Sequence, residues 1–137
     1  MSVTTERAQG SGLLNVARWL SIATAALVLV QAFMIGQVWF MGRGSLLLTH
    51  GIVGNVSYIG ALGMVVVGYL GLKKGWGMAF LGLAILVVLL MTAQLGLGYV
   101  GRKVAMAASI HVFNGVLLTG TLFALMTVAW LRPGGSR

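Results

Sequence analysis

Residues 78–100 read MAFLGLAILVVLLMTAQLGLGYV, with no charged side chain and only Thr92, Gln94 and Tyr99 carrying polar atoms. A run of this length and polarity is long enough, as a helix, to cross a hydrocarbon core about 30 Å thick, which needs about 20 apolar residues. Three further runs share its character: about Trp19 to Met41, Leu46 to Leu72 and Val104 to Leu131. The connections between them are short: Gly42 to Ser45, Lys73 to Gly77 and Gly101 to Lys103. Such loops join antiparallel neighbours. The sequence therefore predicts an all-α membrane protein, a single four-transmembrane-helix up-down bundle over residues 1–137. Residues 1–12, rich in Ser, Thr and Gly, predict a flexible tail. The first apolar run is longer than a signal-peptide core and no small-residue cleavage site follows it, so it is read as a retained helix. Ser45 stands where an N-cap for the second helix belongs.

Composition supports this class. Of 137 residues, 59% are hydrophobic and 7% charged, against about a quarter charged in soluble domains. The formal charge of +8 does not imply nucleic acid, because the basic residues stand singly or in pairs at the ends of the apolar runs. Such residues mark membrane boundaries, and cytoplasmic loops carry the excess. Arg7, Arg18, Lys73, Lys74, Arg132 and Arg137 fall on one side, Arg43, Arg102 and Lys103 on the other. That asymmetry predicts both termini in the cytoplasm and the lipid bilayer, a bacterial inner membrane, as the setting. Trp19, Trp76 and Trp130 at one boundary and Trp39 at the other suit an aromatic belt. Cysteine is absent, which excludes disulfides, iron–sulfur clusters and a covalently attached heme.

An ionisable residue inside a membrane span is a functional candidate by default. This chain has two, His50 and His111. They lie on helices two and four, which run in the same direction, each about 6–10 Å below the outer boundary at about 1.5 Å per residue. Two imidazoles at matching depth on parallel helices suit the two axial positions of one heme iron. They are too few for a closed tetrahedral zinc site, whereas a porphyrin supplies the other four nitrogens itself. Each histidine is followed four residues later by glycine, Gly54 and Gly115, on the same helix face, leaving recesses for a flat cofactor. The same glycines equally suit close helix approach. Ser57, Ala61 and Gly68 continue the face of His50, and Ala107 and Ala108 precede His111.

A faint repeat relates the two halves. Residues 30–54, VQAFMIGQVWFMGRGSLLLTHGIVG, and 92–115, TAQLGLGYVGRKVAMAASIHVFNG, share the order Gln, Gly, basic residue, His, Gly. Two such units related by a pseudo-twofold along the membrane normal would bring the histidines face to face. Gln31, Gln94, Asn55 and Asn114 are candidates to orient an imidazole or line the pocket, and interhelical hydrogen bonding explains each equally well. Arg43, Arg102 and Lys103 stand on the histidine side, where cations can meet heme propionates or serve only as loop charge.

The stretch AQLGLGYVGRKVAMAASIHVFNGVLL, residues 93–118, resembles the third-to-fourth helix region of one half of heme A synthase, a family with a histidine pair in each of two four-helix halves. The whole chain is similar in outline to small four-helix bacterial membrane proteins that look like one such half. The shared motif is Gln94, the basic loop and His111. The resemblance implies heme binding by His50 and His111. The family carries a carboxylate shortly before the histidine of its second helix; here that stretch is Leu46-Leu47-Leu48-Thr49, and the only acid is Glu6. The family's oxidative chemistry is therefore not expected.

The functional expectation is a non-enzymatic, cytochrome b-like electron-transfer protein with one non-covalent bis-histidine heme b, working with a quinone or a redox partner protein. The alternative is a non-catalytic accessory subunit of a larger membrane complex. Without carboxylates in the spans, proton pumping and carboxylate acid–base catalysis have no agents. Transport has no charged pathway or Pro-broken helix to use.

Overall fold

The computed structural model describes the backbone of residues 2–132 and the side chains of 12–132. Four helices account for nearly all of it: α1 (Ser2–Met41), α2 (Leu46–Lys73), α3 (Met78–Gly101) and α4 (Ala105–Leu131). All four contain spans long and apolar enough to cross a membrane, beginning in α1 at Gly12. The boundaries predicted for α2, α3 and α4 are met within a residue. α1 begins earlier than predicted, and its backbone is helical where the sequence suggested a flexible tail. A helix already nucleated in the apolar span extends outward without a second nucleation step. The C-terminal residues 133–137, Arg137 among them, lie outside the described residues, as do the side chains of residues 1–11, including Glu6 and Arg7.

The helices form a ring in which α1 packs on α2, α2 on α3, α3 on α4 and α4 back on α1. Neither diagonal pair has a backbone approach among the described residues, so α2 and α4 face each other across the bundle axis as co-directional rods. Two turns are reversed by glycines in the left-handed region, Gly42 at φ 66° and Gly75 at φ 81°, a conformation most other residues resist. Ser45 occupies the predicted N-cap position but makes no capping bond, because its backbone is already helical. The first turn of α2 is tightened instead by Leu46 N–H donating to Arg43 O and Leu47 N–H donating to Gly44 O.

The tight core lies toward the end of the bundle that holds the α2–α3 loop. Phe80, Met64, Val87, Leu122 and Leu125 are fully enclosed there. The helices come close because small residues face the seams. A Cβ on Gly68 would stand 3.1 Å from the Leu81 backbone, and Gly71 leaves room for the Trp76 ring. Trp76 consequently packs inward, edge-on to Phe80 at 5.8 Å, more than a boundary anchor needs. Trp19, Trp39 and Trp130 remain exposed, as belt residues do. Arg18 of α1 ties the ring shut. Its guanidinium donates to Ala129 O (3.2 Å), Trp130 O (3.4 Å) and Arg132 O (2.9 Å), satisfying carbonyls that the end of α4 leaves without helical partners.

The outside of the ring is as apolar as its inside. Phe33, Phe40, Leu48, Ile59, Leu89, Val112, Phe113 and Val116 are all exposed. An apolar surface this extensive is foreign to a water-soluble monomer and is what a lipid-facing bundle requires. The chain is a multi-pass membrane bundle.

Candidate functional site

At the opposite end, the His50 and His111 rings meet across the axis from α2 and α4. Their centroids are 6.2 Å apart and their planes cross at 66°. Each ring is held by the backbone of the preceding helix. His50 Nδ1 lies 3.2 Å from Gln31 O on α1, and His111 Nδ1 lies 2.9 Å from Gln94 O on α3. A carbonyl oxygen only accepts, so Nδ1 carries hydrogen in both rings. In the neutral imidazole the lone pair then resides on Nε2. This is the tautomer that metal-binding histidines adopt when Nδ1–H is anchored to a carbonyl.

The helix glutamine contacts its histidine through the main chain, a carbonyl present at any residue type. Its side chain explains the glycines. A Cβ on Gly54 would stand 3.1 Å from Gln31 Oε1, and one on Gly115 would stand 3.2 Å from Gln94 Nε2. The recesses four residues after each histidine are therefore filled by carboxamides. Both halves of the repeat thus carry the same Gln–His–Gly arrangement.

The halves differ in where the carboxamide goes. Gln31 Nε2 donates to Ser57 Oγ at 3.1 Å, and that hydroxyl donates to Val53 O at 2.8 Å. Gln94 Nε2 lies 3.2 Å from His111 Nε2 and donates to its lone pair. Gln94 Oε1 accepts from Asn114 Nδ2 at 2.6 Å, and Asn114 also donates to Leu90 O at 2.9 Å. The α3–α4 network is thereby internally consistent: every donor meets an acceptor only if His111 is neutral with hydrogen on Nδ1.

The rings border a cavity of about 890 Å³, within the range of about 300–1,000 Å³ typical of cofactor and ligand sites. Gln31, His50, Gly54, Gln94, Arg102 and His111 line it, with apolar walls from Trp39, Phe40, Leu47, Leu95 and Val112. Gly115, Arg43 and Lys103 do not. Gly115 faces the Gln94 amide, while Arg43 and Lys103 are exposed loop residues. Ser57, Ala61 and Gly68 are buried on the inner face of α2, and Ala108 joins the cavity wall. Asn114 is buried within the network, but Asn55 is exposed on the outer face of α2 and plays no part in it. Asn55 follows its histidine by five residues and Asn114 by three, so the two stand on different helix faces. Gly98, which the sequence did not single out, is part of the site: a Cβ there would stand 3.0 Å from His111 Cε1. Among 21 glycines, nothing in the linear pattern distinguishes it. Arg102 lies at the cavity edge with its guanidinium 5.3 Å from the Tyr99 ring.

No cluster of three or more His, Cys, Asp or Glu side chains able to hold a metal exists among the described residues. His50 and His111 thus stand as a pair with no third side chain of that kind beside them among the described residues. No family model, curated protein or solved structure matches this chain, and nothing in those comparisons links it to heme A synthase.

Proposed function

We propose that this chain is a small b-type cytochrome of the membrane, binding one non-covalent heme b between His50 and His111 and transferring electrons. The observation that carries the proposal is the 6.2 Å separation of the two imidazole centroids. Two metal–imidazole bonds of about 2 Å, with about 1 Å more from each bonding nitrogen to its ring centre, place axial imidazoles about 6 Å apart. A two-nitrogen donor set suits a macrocycle that supplies the remaining four nitrogens.

In this reading His50 and His111 would hold the iron through Nε2. The Gln31 and Gln94 carbonyls fix the ring tautomer and raise imidazole basicity by accepting from Nδ1–H. The apolar walls exclude water, and Arg102 offers a cation to a propionate. When bound, the heme supplies a reversible one-electron iron couple. With both histidines holding the iron, no site would be left open for oxygen, which favours electron transfer over oxygenase chemistry. Gln94 must leave His111 Nε2 before that lone pair is free to bind metal.

The excess of basic residues around the termini and the α2–α3 loop orients both termini to the cytoplasm. The histidines then lie near the outer face of a bacterial inner membrane. One heme at that depth exchanges electrons with a quinone or a partner protein instead of spanning the bilayer alone.

The test is optical. Protein purified in detergent from heme-replete cells should give split α and β bands on reduction and one heme b per chain by the pyridine hemochrome assay. His50→Ala and His111→Ala should each abolish the six-coordinate spectrum. Colourless wild-type protein that also fails to take up added hemin would overturn the proposal.

A further inference from the structure

We infer that the outer face of α2 is a self-association surface on which a second copy of this chain seats, with Asn55 meeting its own counterpart across a twofold axis. Leu48, Ile52, Asn55, Ile59, Leu62 and Val66 are all exposed and follow one another at alternating spacings of four and three residues. That spacing is the seam of a left-handed helix pair, the commonest crossing in membrane bundles. The stripe points away from the bundle, opposite the buried Ser57, Ala61, Met64 and Gly68.

Asn55 lies nine residues after the start of α2 at Leu46, about 14 Å along the helix axis and therefore within the hydrocarbon. Its carboxamide makes no hydrogen bond among the described residues. Lipid chains offer it no partner, and an unsatisfied amide in an apolar medium is costly. Several hydroxyls along the spans behave differently. Thr92, Thr121 and Thr127 each donate to the carbonyl four residues earlier, at 2.9, 2.8 and 2.9 Å respectively, and need nothing outside their own helix.

The chemistry of the amide identifies the occupant. A carboxamide is donor and acceptor at once, so two related by a twofold satisfy each other. Every copy inserts with the same topology, which makes α2 and its counterpart parallel and sets both Asn55 residues at one depth. A single polar residue in an otherwise apolar seam also fixes register. A different protein would need a matching polar group at the same level; a second copy has one by construction. The stripe lies on a different face of α2 from His50 and Gly54, which line the histidine cavity, so the inference does not depend on heme binding.

The chain lacks cysteine, which makes single-cysteine variants clean reporters. Ile52→Cys and Ile59→Cys, reconstituted into phosphatidylcholine liposomes at high lipid-to-protein ratio and oxidised with copper phenanthroline, should form disulfide-linked dimers. Val116→Cys, on the lipid face of α4, should not. Asn55→Ala alters only an outward side chain, and by energy transfer between labelled copies it should weaken dimerisation about 3- to 20-fold. The inference fails if neither stripe cysteine cross-links, or if Val116→Cys cross-links equally well. It fails equally if Asn55→Ala leaves the dimerisation constant unchanged, or if a stoichiometric unlike protein is found shielding the stripe.

Discussion

The two ends of the bundle are built on opposite terms. At the Arg18 end, Phe80, Met64, Leu122 and Leu125 interlock with no exposure beyond 1%, Trp76 fills the space left by Gly71, and a guanidinium closes the last turn of α4. At the histidine end the same four helices border an open cavity of about 890 Å³ whose rim residues Phe40 and Val112 also face outward, and polar bonds replace packing as the means of holding side chains. Lipid tails are as apolar as the core, so packing and hydrogen bonds, not transfer from water, hold such helices together. One end therefore supplies association, and the other holds the two histidines. Separation of these tasks lets the cavity exist without loosening the bundle.

The sharpest way to break this contrast is to remove His111. His111→Ala should reduce heme occupancy by two orders of magnitude or more while leaving the helical circular dichroism and detergent-unfolding midpoint near wild type, because the ring contributes to no packed core. A variant that loses heme only by unfolding would show that the ends are not separable. Phe80→Ala is the mirror experiment. In water-soluble cores that change costs about 3–5 kcal/mol. Here the unfolded side chain stays in lipid, so about 1–3 kcal/mol is expected from lost packing alone. Measured by denaturation in mixed micelles, the loss should come without a shift in the heme spectrum. Arg18→Ala should follow, with about 1–2 kcal/mol for the lost charge-assisted bonds to the carbonyls of α4.

The helices that build both ends were legible in the sequence, but the inward packing of Trp76 and the closure by Arg18 at the first end were not, and the second end was legible only in part. The four spans and their short loops follow from apolar run length, which the membrane thickness converts directly into helices. The pairing of His50 with His111 followed from equal depth on co-directional helices, and the structure brings the rings together. Gly54 lines the cavity as expected while also clearing space for the Gln31 amide, whereas Gly115 faces the Gln94 amide and not the cavity, a relation between helices that spacing within one helix does not contain. Gly98 escaped notice for the same reason, since its neighbour His111 is on another helix. Arg43 and Lys103 were grouped with Arg102 by side of the membrane, but only Arg102 reaches the cavity, because loop direction decides which of adjacent cations turns inward. Asn55 was grouped with Asn114 although their offsets from the histidines differ, and that difference separates an outward from an inward face.

The two halves of the site give the smaller, more discriminating tests. Gln31 and Gln94 tether their histidines equally through main-chain carbonyls, yet only the Gln94 amide occupies an imidazole lone pair. Removing that amide takes away a competitor of one hydrogen bond, worth about 0.5–1.5 kcal/mol. Gln94→Ala should accordingly tighten hemin binding about 2- to 10-fold in titrations of the apoprotein, while Gln31→Ala should leave it within about twofold. Equal effects would show that the asymmetry has no energetic content.

Glycine replacements separate clearance from backbone freedom on a finer scale. On Gly98 a Cβ stands 3.0 Å from the His111 ring, while at Gly82, exposed on the same helix, it meets nothing within 4 Å. Gly82→Ala should only gain helix propensity, about 0.5–1 kcal/mol of stability. Gly98→Ala makes the same gain but must push the ring by a few tenths of an ångström against its Gln94 carbonyl tether. The net stability change should therefore fall below that of Gly82→Ala, and the shift should register in the His111 ring proton resonances. If both variants stabilise equally and the His111 signals stay in place, the imidazole is held less firmly than its Nδ1 bond implies. Positioning of the pair would then rest on His50 and its own carbonyl alone.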